Sequence, residues 1–373
     1  MTNRIYNIMF HTHTISGIII SAALYVIFFT GSISFLRDDI IAWERNEPVD
    51  SNYFSQVDFD ALLNNIEKTH HLTGRDVSFY QRVEGQIAST ILSASKDTIA
   101  QKETRRSDFF ATNLSTYKTE KYADAYTLGE FFYRLHFFAQ LNLYGRSGYL
   151  LAGFVAFFFL FAIITGVIVH WKKIIPSFYV FRPNGKWKTI WTDAHVSLGI
   201  IGLPFQFMFA VTGTYLIIGY SIMLPPVKSL LFNDDDNAFN KVLNPELHIE
   251  YSYKGEPLDK TTSFNQFIIE TKKKWPDLKL NRLQVYNYGD MNMHVKVEGN
   301  LSFKDKLLGS GYLTYRALDG KLVDQKNPYG KTSYVEGTTD ILRRLWHEAH
   351  LFCIRTSHLF CHYFWCAYLA GGS

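Results

Sequence analysis

Two histidines, His13 and His195, are each followed by a glycine four residues later and by a Thr-Gly dipeptide after twelve further residues. Residues four apart lie on one face of a helix, so Gly17 and Gly199 leave space beside the two imidazoles. An imidazole beside an open helix face suits a bulky flat ligand. Two neutral imidazoles are also the axial ligands of a low-spin haem iron, which carries electrons and does not bind oxygen. The repeated motif therefore indicates haem binding and electron transfer.

The elements that must hold these histidines are long apolar runs. Residues 15–36 and 196–220 contain no charge, and residues 147–171 contain only His170 as an ionisable group. At about 1.5 Å per residue each run is about 33–38 Å long, which exceeds a hydrocarbon core of about 30 Å. Acidic residues, Asp38 and Asp39, follow the first run instead of a signal-peptide cleavage site, so we expect this run to be retained. The sequence predicts a membrane protein in contact with lipid.

Charge predicts the orientation. The loop after the second run is basic and has no acidic residue before Asp193; its cations are Lys172, Lys173, Arg182, Lys186 and Lys188. By the positive-inside rule this loop and the N-terminus are cytoplasmic, and the longer polar segments face the periplasm. The net charge of +4 is ordinary for a membrane protein, and we find no nucleic-acid-binding signature.

Two halves of the chain share one plan, in which a span is followed by an exported domain, a His-bearing helix and a second span. Helical patterns at 59–70 and 264–275 each precede strand-like runs, at 76–83, 86–93 and 109–117 in the first half and at 282–288, 291–297, 312–317 and 321–324 in the second. All three cysteines lie in the last 21 residues, so no disulfide framework supports the exported domains.

Other boundary histidines extend the candidate haem site. Topology places His170 with His13 and His195 on the cytoplasmic side, where three histidines compete for two axial positions, and it places His136 and His350 on the exported side. His347 competes with His350 for the second of these places. The neighbouring cations Arg134, Arg343 and Arg344 either pair with haem propionates or an anionic substrate, or form a solvated helix face. We expect the Thr-Gly dipeptides at 30–31, 165–166 and 212–213 to be packing or bending sites.

Several of these residues resemble the PepSY-associated transmembrane protein family. They are His13, Gly17, Thr30-Gly31, Arg37-Asp38, the run 166–173, Phe181-Arg182-Pro183, Asp193-Ala194-His195, Gly199 and Leu203-Pro204-Phe205. The resemblance covers about residues 1–350 and extends to the iron-regulated branch that includes ferrioxamine reductase. It implies four spans, two exported PepSY-like domains, two haem b groups, and reduction of ferric siderophores in the periplasm with release of Fe(II).

The chain departs from the family after His350, because only 23 residues follow and Arg355, His358 and His362 interrupt them. We therefore predict an α-helical membrane protein, a four-helix transmembrane bundle with a short fourth span, and two α+β PepSY-like exported domains. The predicted segments are the first transmembrane helix 1–36, the first exported domain 37–127, the His-bearing and second transmembrane helices 128–171, the cytoplasmic loop 172–194, the third transmembrane helix 195–220, the second exported domain 221–340 and the C-terminal segment 341–373.

The predicted function is that of a haem-dependent oxidoreductase of the inner membrane. Electrons from an unidentified cytoplasmic or membrane donor reach the cytoplasmic-side haem, pass to the exported-side haem and reduce a ferric siderophore or another iron chelate. The protein supplies ligands and orientation, and the redox chemistry belongs to haem and iron. Two alternatives remain open. One is a haem-free membrane protein whose PepSY-like domains bind or restrain an exported partner, and the other is a haem reductase for a different periplasmic acceptor.

Overall fold

The computed structural model describes residues 2–48, 50, 52–81, 85–97, 102–174, 176, 182–243, 249–259, 261–302, 306 and 309–330. The chain divides into two compact units. The described part of the first, the helical unit, falls within Met1–Phe35 and Phe131–Pro245. The described part of the second, the sheet unit, falls within Leu36–Glu130 and Glu246–Ile341.

The bounds of the secondary-structure elements are as follows. The α-helices are α1 (Asn3–Ser34), α2 (Arg37–Arg45), α3 (Phe59–Glu67), α4 (Leu128–Leu135), α5 (Ser147–His170), α6 (Trp187–Ile201), α7 (Leu203–Thr214), α8 (Leu224–Phe232), α9 (Asp236–Leu243) and α10 (Phe264–Lys274). A π-helical segment, Tyr215–Met223, joins α7 to α8, and short 3₁₀ turns occur at Tyr53–Gln56, Lys102–Arg105, Ala139–Leu141 and Trp171–Lys173. The strands are β1 (Val77–Gln81), β2 (Ile87–Leu92), β3 (Asp108–Asn113), β4 (Thr119–Lys121), β5 (Lys279–Tyr286), β6 (His294–Asn300), β7 (Ser310–Arg316) and β8 (Leu322–Lys326).

Three helical segments in the described part of the chain are long and apolar enough to cross a membrane: Asn3–Ser34, Ser147–His170 and Leu203–Phe232. In the helical unit α1 packs against α5, and α5 packs against α7. Serine and threonine hydroxyls in these helices donate to carbonyls one turn earlier, as Ser16 does to Thr12 O at 2.8 Å. This bond satisfies the hydroxyl within its own helix, as a helix that crosses a membrane requires. The predicted fourth span lies outside the described residues, so a four-helix bundle stays a prediction.

The third span differs from its predicted extent of 195–220. The helix is interrupted at Gly202, resumes with Pro204 in the first turn of α7, and continues through the π-helical segment to Phe232. Proline is tolerated in a first turn because the N–H that it lacks would have no helical partner there. Pro225 and Pro226 occupy the first turn of α8 in the same way. Helical structure therefore extends into the stretch that we assigned to the second exported domain.

All eight strands of the sheet unit form one antiparallel sheet, in the order β4-β3-β2-β1-β5-β6-β7-β8. Both predicted helices and seven strand-like runs correspond to elements of this unit. The predictions missed α2 and the three-residue strand β4. They also did not anticipate that β1 pairs with β5, so that the strands of two predicted domains share a single sheet.

One face of the sheet packs against α3 and α10. The central strands contribute Val77, Phe79, Leu283 and Val285, each 0% exposed, because alternate residues of a strand lie on the same face. The two helices contribute Phe59, Leu62, Leu63, Ile66, Phe264, Phe267 and Ile268. These side chains form a single hydrophobic core.

The two halves of the sheet unit are related by a shift of 205 residues. Phe59 and Phe264 begin the two helices, and each donates its N–H to the side chain that follows the other phenylalanine. Phe59 N donates to Asn265 Oδ1 at 2.7 Å, and Phe264 N donates to Asp60 Oδ1 at 2.8 Å. The β1–β5 register follows the same shift, under which Val77 is equivalent to Arg282 and Tyr80 to Val285. Val77 pairs with Val285, and the equivalent pair is Tyr80 with Arg282. These contacts are the structural counterpart of the internal repeat inferred from the sequence.

We expect the Asn265→Ala variant to loosen α3, although the substitution lies in α10. It removes the acceptor of the Phe59 N–H, and loss of a helix N-terminal acceptor costs about 1 kcal/mol. Hydrogen–deuterium exchange on the full chain in detergent should show about fivefold less protection at the start of α3. Gln266→Ala is the control, since Gln266 bonds to Glu270 within its own helix. Equal protection of α3 in the two variants would contradict the reciprocal bonds.

Candidate functional site

A cavity of about 440 Å³ lies in the helical unit, between α1, α5, α6 and the first turn of α7. Small-molecule and cofactor sites commonly enclose about 300–1,000 Å³. The wall is largely apolar and includes five of the residues that the sequence singled out: His13, Gly17, His170, His195 and Gly199. The candidate residues from three separate helices therefore line one space.

The imidazoles of His13 and His195 lie close to each other in this cavity. Their ring centroids are 6.1 Å apart and their planes are inclined by 57°. A metal ion that binds one imidazole nitrogen on each side at about 2 Å separates the two ring centroids by about 6 Å. The spacing thus suits one metal centre between the two rings, while His170 lines the same cavity at the end of α5.

His13 has one ring nitrogen engaged with the protein. Its Nδ1 lies 2.8 Å from the carbonyl oxygen of Ala162 in α5. A carbonyl oxygen cannot donate a hydrogen bond, so Nδ1 carries the proton and the lone pair is on Nε2. Metal-binding histidines usually donate their second nitrogen in this way, which fixes the tautomer and the ring orientation.

Gly17 and Gly199 border empty space. A Cβ built at either position would have no neighbouring atom within 4 Å. Close helix packing therefore does not explain these two glycines, whereas a Cβ at Gly153 of α5 would meet Ile217 Cγ2 at 2.7 Å. A side chain at Gly17 or Gly199 would project from the cavity wall.

A bidentate ion pair supports the helix that carries His195. Arg182 donates through Nε to Asp193 Oδ2 at 2.8 Å and through Nη2 to Asp193 Oδ1 at 2.9 Å. Paired bonds of this kind fix geometry as well as charge. Asp193 is 8% exposed and lies two residues before His195, so the pair fastens the preceding loop to the first half of α6.

His136 contacts α1 at a different position along the helix axis from His13. It follows α4, and its Nδ1 is 2.8 Å from the carbonyl oxygen of Ile27. Ile27 is 14 residues after His13 in α1, a distance of about 21 Å along a helix axis. Arg134 lies in the last turn of α4. The other exported-side candidates, Arg343, Arg344, His347 and His350, lie outside the described residues.

The sheet unit has a smaller cavity, of about 80 Å³, under α2. There Arg37 pairs with Glu130, which also accepts a hydrogen bond from the Tyr122 hydroxyl at 2.5 Å. Burial raises the pKa of the nearby Glu47 carboxyl. Since a water molecule occupies about 30 Å³, this space holds a few waters at most. We interpret the cluster as a structural polar network.

The metal-binding side chains in the larger cavity are imidazoles. In the described part of the chain no group of three or more His, Cys, Asp or Glu side chains is arranged to hold a metal ion. The cavity instead presents a pair of neighbouring imidazoles, which is a ligand set that a haem iron could use.

Comparison with known proteins identifies the family. A family model described as the PepSY-associated TM region matches residues 10–349 of the chain. No curated protein matches the sequence of the chain. Together with the three described helical segments that are long and apolar enough to cross a membrane, this match indicates a membrane protein. The chain therefore belongs to the PepSY-associated TM region family.

Proposed function

We propose that the protein is a di-haem oxidoreductase of the bacterial inner membrane, with His13 and His195 as the axial ligands of one haem b. The observation that carries the proposal is the pair of imidazoles at 6.1 Å in a cavity of about 440 Å³. Two further features support it, namely the Nδ1 bond of His13 to Ala162 O and the open space at Gly17 and Gly199.

Each residue has a separate task in this proposal. The haem iron, when bound, supplies a one-electron carrier. His13 and His195 would hold the haem iron through imidazole nitrogens, a ligand set suited to electron transfer and not to oxygen binding. The Ala162 carbonyl accepts from Nδ1 of His13 and fixes the ring, so Nε2 is the nitrogen that would hold the iron. Gly17 and Gly199 leave room for the flat edge of the ligand. His170 stays at the cavity wall as a neighbour of the site.

The second haem is proposed at the level of His136, about 21 Å from His13 along α1. Electrons thus cross most of the membrane between the two levels. The sheet unit lies on the periplasmic side, where a ferric siderophore or another iron chelate accepts one electron per Fe(III) and releases Fe(II). Ferric-siderophore reduction is also what the resemblance to the iron-regulated branch implies.

Exposed tryptophans and lysines support a cytoplasmic position for the His13–His195 cavity. Trp171, Trp187 and Trp191 are 71%, 76% and 66% exposed, as residues of an interfacial aromatic belt are. They lie next to Lys172, Lys186 and Lys188, the basic residues that the positive-inside rule assigns to the cytoplasm. We propose that the unidentified electron donor delivers electrons at this end.

Spectroscopy of the purified full-length protein tests the proposal. We expect a reduced-minus-oxidised spectrum of low-spin haem b and a pyridine haemochrome ratio of about two haems per chain. Stopped-flow mixing of the reduced protein with ferric hydroxamate or catecholate chelates, with a ferrous trap present, should show haem reoxidation coupled to Fe(II) formation. Protein that binds no haem would contradict the redox function, and haem that is reoxidised only by other acceptors would contradict the siderophore assignment.

A further inference from the structure

Two of the three Thr-Gly dipeptides in the apolar runs contact an imidazole in the same way. His13 Nδ1 donates to the carbonyl of Ala162, which lies four residues before Gly166 in α5. His136 Nδ1 donates to the carbonyl of Ile27, which lies four residues before Gly31 in α1. Both hydrogen bonds are 2.8 Å long. Each of two packed helices therefore holds a histidine that comes from outside that helix.

The glycine of each dipeptide makes room for the ring. A Cβ at Gly166 would lie 3.0 Å from Cε1 and 3.2 Å from Nδ1 of His13. A Cβ at Gly31 would lie 2.7 Å from Nδ1 and 2.8 Å from Cε1 of His136. Carbon atoms that are not bonded prefer about 3.5–4.0 Å, so an alanine at either position would displace the imidazole from its carbonyl.

The threonine hydroxyl of each dipeptide shares its one proton between two carbonyls, the one that accepts from the imidazole and the one before it. Thr165 Oγ1 lies 3.0 Å from Ala162 O and 2.9 Å from Phe161 O. Thr30 Oγ1 lies 3.4 Å from Ile27 O and 2.6 Å from Val26 O. A carbonyl oxygen has two lone pairs, so it can accept from the hydroxyl and from the imidazole together. Two donors on one oxygen share its electron density, so the hydrogen bond from the imidazole to that oxygen is weaker.

We propose that Thr165-Gly166 and Thr30-Gly31 are positioning pairs for His13 and His136. Glycine admits the ring, and threonine moderates how strongly Nδ1 donates, which sets the electron-donor strength of Nε2. A stronger Nδ1 bond raises the basicity of an imidazole ligand. The effect on a haem rests on the proposed function, whereas the ring positions themselves do not depend on it.

The threonine is tested by its effect on haem potential. Thr165→Val keeps the side-chain shape and removes the hydroxyl, so Ala162 O accepts more strongly from His13. Nε2 then becomes a stronger donor and favours Fe(III). We expect redox titration of the full-length protein to show a lower potential for one haem with unchanged haem content. Thr165→Ser, which keeps the hydroxyl, should restore the wild-type potential. A wild-type potential in Thr165→Val would overturn the threonine assignment.

The glycine is tested by Gly166→Ala against Gly153→Ala. Gly153 is in the same helix and is more crowded than Gly166, but by Ile217 and Ile218 instead of an imidazole. Loss of a partner that orients a metal-binding histidine typically weakens metal affinity about 10–100-fold. Gly166→Ala should therefore lose one haem, and Gly153→Ala should keep both. Full haem retention by Gly166→Ala would overturn the glycine assignment.

A haem-independent readout separates failure of this inference from failure of the proposed function. In ¹⁵N-histidine-labelled protein prepared without haem, the Nδ1–H resonance of His13 should shift in Gly166→Ala and stay in place in Gly153→Ala. If the wild-type protein binds no haem but this shift occurs, the positioning role stands and the redox function fails. If His13 resonances are the same in both variants, the positioning role is wrong whatever the haem content.

Discussion

The His195→Ala variant is expected to lose the cytoplasmic-side haem entirely. His195 provides one of the two imidazoles in the cavity, and an iron with a single axial histidine is not the low-spin species that we propose. The haem-to-protein ratio should fall from about two to about one. His13→Ala should give the same loss. The measurement is the pyridine haemochrome of protein purified in parallel from equal amounts of membrane.

His11→Ala is the matched control for this result. His11 lies two residues before His13 in α1, is exposed, and is not part of the cavity wall. It should keep both haems. His170→Ala distinguishes the possible ligand pairs, because His170 also lines the cavity. Haem loss in His170→Ala together with haem retention in His195→Ala would show that the assigned pair is wrong.

Gly17→Leu and Gly199→Leu are expected to exclude the ligand without unfolding the protein. A Cβ at either glycine meets no atom within 4 Å, so the added side chain enters the cavity instead of a packed interface. Haem affinity at this site should fall at least about tenfold, since each leucine fills space that the ligand needs. Spectroscopic haem content reports the loss, and size-exclusion chromatography in detergent shows that the variants are folded.

The control glycine for these variants is Gly219. A Cβ there would be 3.8 Å from Tyr215 Cδ2, so the position is also uncrowded, and it is not part of the cavity wall. Gly219→Leu should retain both haems. If Gly17→Leu and Gly199→Leu also retain both, the cavity is not a haem site, and the assignment of His13 and His195 as ligands is wrong.

The sequence predicted the helices and strands better than it predicted which of them pack or pair together. Periodicity identified α3, α10 and most strands, because buried faces leave a regular pattern in residues such as Phe59, Leu62 and Ile66. It missed β4, whose three polar residues have no apolar alternation, and α2, whose charges resemble a span flank. The alternation of residues in a strand also shows which face is buried, but it does not show which strand lies beside it. The β1–β5 pairing therefore could not be predicted.

The same limit applies to the candidate site. The repeated spacing marked His13 and His195 as equivalent, but their approach to 6.1 Å depends on how α1, α5 and α6 pack. Gly31 and Gly166 were expected to be packing or bending sites, because their neighbours His136 and His13 are distant in sequence. The local sequence feature is a glycine that follows a threonine whose hydroxyl donates to a carbonyl one turn earlier. This feature indicates a contact with an imidazole only when the neighbouring helix is known.

The pairing of β1 with β5 has a consequence for biosynthesis. β5 begins 198 residues after β1 ends, and two membrane helical segments lie between them. At about 5–20 residues per second the ribosome needs about 10–40 s to make the intervening chain. Throughout that interval the newly made β1 has an open edge, and open edges pair readily with other strands. Nascent chains of this protein should therefore depend on a chaperone until the second half emerges.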